Sequence, residues 1–319
     1  MRGVETGRLQ TMSSWAELTD ELQKLPPDQR GPWIVDTAKA SLEQLAAQTN
    51  RNVIVYASGY LQKPQVPGIF LSVNGEDLNG FMTSLYRMDC SRGLLLVLHT
   101  PGGSAEAAES IVEYLRSKFD EIDVLIPAFA MSAGTMISLS ADRLIMGRQS
   151  QLGPTDPQLI MNNAAFSAHS IVEQFDEAKA EIAKNPDLAR AWAPVLQPFG
   201  PALLQNARKA LSYGQTLVQR WLERNMFKSH ADPAADARAV ATFFSGNSHG
   251  SHGRRIDRSE ARAQGLTVLD LEDDDVLQSA ALTLYHALTI AFESGPAAKI
   301  IMSTNGNSWI KNFTVAGKP

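Results

Sequence analysis

The sequence predicts an α/β fold with a mostly parallel sheet, and two stretches carry that prediction. The run GLLLVLH (93–99) is continuously apolar, as a strand covered on both faces must be. It is followed by a Gly-rich turn and then by Ala108, Ile111, Val112, Leu115 and Phe119 at helical spacing. VLIPAFA (124–130), MSAGTMISLSA and DRLIMG repeat the order strand, helix, strand. Two βαβ units in succession imply right-handed crossovers between parallel neighbours. Sites in such sheets lie beyond the carboxyl ends of the strands. The two unusual turns of this chain, HTPGGS and AMSAG, both fall at such ends.

The remaining elements follow in chain order. Residues 1–50 read as a helical leader: TMSSWAELTDELQKL offers Ser13 or Ser14 as cap, and Pro26 and Pro27 end that helix. A second helical pattern, WIVDTAKASLEQLAAQT, runs into the strand NVIVYAS. Residues 51–164 form the core with both unusual turns, and 165–245 read as a helical arm. SGNSHGSHGRR (245–255) is a Gly/Ser-rich loop. The unit RSEARAQGLTV and a helix from about 275 to 293 make 246–295 a C-terminal part of the core, leaving 296–319 as a polar tail. The acidic run Glu272 to Asp275 suits a solvated helix start.

Composition narrows the function classes. Of 319 residues 44% are hydrophobic and 20% charged, which excludes a disordered tail, a collagen-like fibre and a disulfide scaffold. A net charge of −5, without a block of Lys and Arg, is a poor match to nucleic acid or anionic lipid. Cys90 is the single cysteine, so no internal disulfide forms; it reads as a small buried hydrophobe. No stretch approaches the roughly 18 apolar residues of a membrane helix. MRGVETGRLQTMSSW has no apolar signal-peptide core. A cytoplasmic protein without stable membrane insertion is the expectation.

Two motifs carry candidate chemistry. Ser132 ends a buried strand and opens a helix whose next residues, Ala133 and Gly134, are tiny. That arrangement exposes the hydroxyl beside backbone N–H groups at a helix start, the physical logic of a nucleophile elbow, although the sequence is not GxSxG. The plainer reading is a serine N-cap. In Pro101-Gly102-Gly103, proline restricts the chain and two glycines allow a sharp turn and a close approach to a ligand. The two turns end successive strands of one sheet, so they should lie side by side as nucleophile and oxyanion donors.

HTPGGSAEAAESIVEYLR, followed by VLIPAFAMSAGTMISLSADRLIMGRQSQLGPTDPQL, resembles the serine dehydrogenase proteinase family of Clp-fold serine peptidases, with signal peptide peptidase A as a more distant relative. The resemblance covers about residues 50–160 and implies a Clp/crotonase-like spiral of βαβ units. It implies a serine peptidase with Ser132 as nucleophile and Gly103 and Ala133 as oxyanion donors. It also implies a polypeptide substrate and a homo-oligomer. No pyridoxal or nicotinamide motif is present, so no cofactor is expected.

The general base stays open between a lysine and a histidine. Clp peptidases carry a histidine at the turn that reads GPTDP here, where this chain has Thr155 and Asp156. Signal peptide peptidases use a lysine, whose pKa must fall by burial before it accepts a proton. Ile171, Phe175, Ala178 and Ile182 form an apolar helical face that Lys179 borders, whereas Lys184 points roughly opposite and Lys209 falls off its own helix's stripe. His249 and His252 precede EARAQGL, near where Clp peptidases place their acidic residue. No Cys or carboxylate at ligand spacing accompanies that His-x-x-His, so no metal is expected. His99 reads as a buried histidine before the PGG turn. Two other readings compete with the peptidase. One is a catalytically inactive Clp-fold peptide-binding or scaffold protein, motivated by Thr155. The other is crotonase-type acyl-CoA chemistry, which needs no serine.

Overall fold

Ser14 caps the first helix reciprocally: its side chain accepts from the Glu17 N–H, and the Glu17 carboxylate accepts from the Ser14 N–H. The structure is a computed structural model describing residues 14–161, 164–197, 200 and 202–314. The alternative cap Ser13, the rest of the leader before it, and residues 315–319 of the expected tail lie outside the described residues.

Helices α1 (Trp15–Lys24) and α2 (Pro27–Thr49) lead into β1 (Asn52–Ser58). Pro27 opens α2 at its first position, where a missing N–H costs nothing. Then come α3 (Asp77–Leu85), β2 (Leu94–His99), α4 (Ala105–Arg116), β3 (Ile122–Ile126), β4 (Phe129–Ala130), α5 (Ala133–Leu139), β5 (Arg143–Met146) and β6 (Gln151–Leu152). The expected strand 124–130 is thus two strands. Pro127 lies at the break, and a residue without an N–H cannot continue a central ladder. A hairpin, β7 (Gln158–Met161) and β8 (Ala164–Ser167), precedes α6 (Ala168–Lys184), α7 (Ala189–Leu196), α8 (Leu203–Arg224) and α9 (Pro233–Ser245). The chain closes with α10 (Arg258–Ala263), β9 (Val268–Asp270), α11 (Asp275–Ser294), β10 (Ala297–Ser303) and β11 (Ser308–Asn312).

Seven strands form the main sheet in the order β11-β10-β1-β2-β3-β5-β9. The pairs β1/β2, β2/β3, β3/β5 and β5/β9 are parallel. Every residue of β2 is buried. Leu94, Leu96 and Leu98 join the cluster built with α4, α5, α8 and α9, while Leu95 and Val97 join the one built with α2 and α11. The result is a three-layer sandwich, helices on both faces, as the apolar run required.

The structure bears on two expectations about the chain's periphery. The arm over 165–245 is helical, but only its first part has a separate small cluster, around Ile171 and Leu203. Leu217, Trp221, Leu222, Val240 and Phe244 join the main core instead. The polar tail over 296–319 is not a tail over 297–312. β10 is buried along its whole length, between β11 and β1, with Ile301 opposite Tyr56. The stretch reads as a tail because STNGNSWIKNFTVAGKP is polar. Lys299 is fully buried because Asp77, far away in sequence, pairs with it.

Ile301 has no exposed surface and packs against α3 at Gly80. Ile301→Ala is expected to lower stability by about 2–5 kcal/mol, read as the shift in the urea-unfolding midpoint. A loose tail would give a change within about 0.5 kcal/mol.

Candidate active site

The turns after β2 and β4 meet in direct contact. Thr100 donates its N–H to Phe129 O (2.9 Å), and its carbonyl accepts from the Met131 N–H (3.1 Å). This short parallel ladder sets PGG beside AMSAG. A Cβ built on Gly102, at φ 97°, would stand 2.6 Å from both Ser132 Cβ and Met131 O. Only glycine lets the backbones approach so closely.

Ser132 has φ 50° and ψ −115°, a conformation sparsely open to a side-chain-bearing residue. Its side chain does not cap α5. The plain N-cap reading therefore does not describe it, and Ser132 sits on a strained strand-to-helix turn. The turn is locked from inside: Gly134 donates to Met131 O (2.7 Å), Met136 donates to Ser132 O (3.0 Å), and the Thr135 hydroxyl donates to Ala130 O (2.7 Å).

Gly103 sits in an isolated parallel bridge with Val73. Val73 donates its N–H to Gly102 O (2.7 Å) and accepts from the Ser104 N–H (2.9 Å). In that pattern the polar groups of Gly103 point away from Val73. Its φ is 155°, and an added Cβ would stand 2.2 Å from Val73 O, so glycine is required there as well. Among the described residues no backbone carbonyl takes up the N–H of Gly103 or of Ala133, the first residue of α5.

A second pair lies on adjoining loops. His252 Nδ1 is 2.7 Å from a carboxylate oxygen of Asp156. The other Asp156 oxygen accepts from Gln158 Nε2 (2.7 Å) and the Ser167 hydroxyl (3.3 Å). Toward a carboxylate oxygen, which accepts, Nδ1 is the donor of this hydrogen bond. Asp156 is nearly buried and the His252 side chain is one-third exposed. A polar cavity of about 130 Å³ lies against this pair.

Three links tie the pair's loops to the serine turn. β6 pairs with β4, Leu152 pairs with Ile256, and Gly153 donates its N–H to the Thr135 hydroxyl at 3.0 Å. Among the described residues no hydrogen bond joins Ser132 to His252. In the sequence Asp156 stands out only as part of a GPTDP turn that has no histidine. Asp156 and His252 lie 96 positions apart, and only the fold joins them.

The other candidates fall elsewhere. His249 is occupied, with Nε2 on Phe243 O (2.6 Å) and Nδ1 on Arg254 (3.1 Å). Lys179, Lys184 and Lys209 are all exposed, so none has the burial that a lysine base requires. Burial pushes the Cys90 thiol up, against a nucleophilic role. Among the described residues no group of three or more His, Cys, Asp or Glu is placed to hold a metal ion, and no helix is long and apolar enough to cross a membrane.

Known proteins share parts of this chain. Residues 64–189 match the family model described as ClpP-like SDH-type serine proteinase. Two uncharacterized proteins of Methanocaldococcus jannaschii are similar. One is 31% identical over 162 residues, 48% of this chain and 55% of the relative. The other is 41% identical over 111 residues, 35% of this chain and 38% of the relative. The chain thus spans about half, or less, of the length of these relatives. A solved structure of a membrane-bound stomatin-specific protease aligns with a TM-score of 0.37 and 16% identity, over 62% of this chain and 74% of that one.

His99, at the end of β2, is buried among Tyr60, Phe129 and Tyr285, and its Nδ1 has no partner among the described residues. Desolvation, opposed by a hydrogen bond at the Phe129 backbone, pulls it from 6.5 to about 4. Between those values the unfolded chain binds the extra proton, so His99 reduces stability as pH falls through that window and has its full contribution above it. His99→Phe is expected to gain on the wild type by up to about 3 kcal/mol between pH 6.5 and 4. Urea unfolding at several pH values measures this, and parallel profiles would contradict it.

Proposed function

Because residues 64–189 match the model of a ClpP-like SDH-type serine proteinase, we propose that the chain hydrolyses peptide bonds through an acyl-enzyme on Ser132. His252 is the general base in this reading, and Asp156 orients it. The observation that carries it is the 2.7 Å His252–Asp156 pair on loops tied to the strained Ser132 turn. Clp-type order is serine, histidine, acid; here it is Ser132, Asp156, His252. A triad is defined by geometry and role, and the chain order is free to vary.

Each step has its group. Ser132 Oγ attacks the peptide carbonyl carbon while His252 Nε2 takes its proton. The N–H groups of Gly103 and Ala133 stabilise the oxyanion, the α5 start adding to the field. His252 then protonates the departing amine. A water molecule gives its proton to His252 and attacks the acyl carbon, and Ser132 recovers its proton as the acid leaves. The Ser132–His252 hydrogen bond forms on substrate binding, since such bonds are often long in the free enzyme. Asp156, held by Gln158 and Ser167 as well, accepts from the His252 Nδ1–H and leaves Nε2 to take the serine proton. The inactive-scaffold reading rested on Thr155 standing where a histidine was expected; here His252 supplies that histidine from another loop. Exposed Lys179 has no part in this mechanism. A polypeptide substrate and a homo-oligomer complete the proposal.

The test is labelling with a fluorescent fluorophosphonate, followed by peptide turnover. Ser132→Ala is expected to abolish labelling, Asp156→Asn to lower kcat about 10⁴-fold, and Lys179→Ala to match the wild type. Undiminished labelling of Ser132→Ala would refute the assignment.

A further inference from the structure

A fully buried ion pair lies at the same end of the sheet as the PGG turn. Lys299, opposite Ser58 in β10, donates to Asp77 at the start of α3, and neither side chain has any exposed surface. A buried pair is poor evidence for stability, since apolar residues of similar volume often serve as well. What this pair contacts gives it another use.

The segment Leu71–Asn74 is held residue by residue. The Ser58 hydroxyl donates to Leu71 O (2.7 Å), and Lys299 Nζ donates to Ser72 O (3.0 Å). Val73 makes both hydrogen bonds to Gly102 and Ser104. The Asn74 N–H donates to Asp77 (2.9 Å), on the oxygen that also accepts from the Tyr56 hydroxyl (2.9 Å). Lys299 and Asp77 therefore grip the residues on either side of Val73, and Val73 bridges to Gly103.

We infer that Lys299 and Asp77 are positioning residues for the oxyanion hole: their ion pair fixes the Val73 segment, which aims the Gly103 N–H at the reacting carbonyl. For its catalytic consequence this rests on the peptidase reading. For its structural part it rests on the contacts alone. A loosened Val73 leaves the Gly102–Ser104 turn free to rotate the N–H away, while Ser132, Asp156 and His252 keep their own supports.

The experiment compares the wild type with Lys299→Met and with the double variant Lys299→Met/Asp77→Asn. The double variant leaves no unpaired buried charge and keeps the side-chain volumes close, so it folds where the single one fails. Hydrogen exchange is followed by peptide. Faster exchange confined to peptides spanning 70–76 and 100–106, with α2 and α11 unchanged, is the expected result. Unchanged exchange there, or an equal rise throughout, overturns the inference. Turnover adds the second readout. A misaimed oxyanion donor is expected to lower kcat about 10²-fold with KM nearly unchanged. Wild-type kcat in the double variant also overturns the inference. If the wild type itself shows neither labelling nor turnover, the peptidase reading fails while the exchange data still decide whether the pair holds the Val73 segment.

Discussion

The contact between Gly102 and Ser132 is the constraint on which the site depends. Two backbones approach until no Cβ fits between them, and Ser132 adopts a conformation that few side-chain-bearing residues tolerate. Such a turn persists only where its surroundings over-determine it. Here they do: the Thr100 ladder, the Gly134 and Met136 hydrogen bonds and the Thr135 hydroxyl each hold one part. Strain at one residue is balanced by several ordinary interactions at its neighbours.

Thr135 carries a second duty. Its hydroxyl donates to Ala130 O and accepts from the Gly153 N–H, so one buried side chain couples the serine turn to the loop that bears Asp156. From there the link to His252 is the 2.7 Å contact between Asp156 and Nδ1. The loop 245–255, rich in Gly and Ser, would by composition be loose. His249 on Phe243 O and His252 on Asp156 pin it at two points instead.

The sheet uses its strands in the same way. Its parallel contacts place the ends of β1, β2 and β3 at one edge of the core. β10 then returns antiparallel and brings Lys299 to that same end, opposite the last residue of β1. A lysine there is tolerable only because Asp77, Ser72 O and the surrounding backbone satisfy its charge. The segment it satisfies is the one that pairs with Gly103.

Local pattern was enough for the parallel βαβ core and for the two unusual turns, HTPGGS and AMSAG, side by side at strand ends. Continuous apolar runs, glycines where the backbone must approach closely, and a serine where a strand becomes a helix are all legible along the chain. Three features required the folded chain: the His252–Asp156 pair, 96 residues apart, the burial of β10, and the exposure of Lys179. A helical wheel places Lys179 beside an apolar stripe, yet what covers that stripe is decided by distant helices. A lysine inside an apolar run looks solvated until its partner, 222 residues away, is brought to it. Periodicity and turn chemistry are properties of neighbours along the chain, whereas burial and charge pairing belong to neighbours in space.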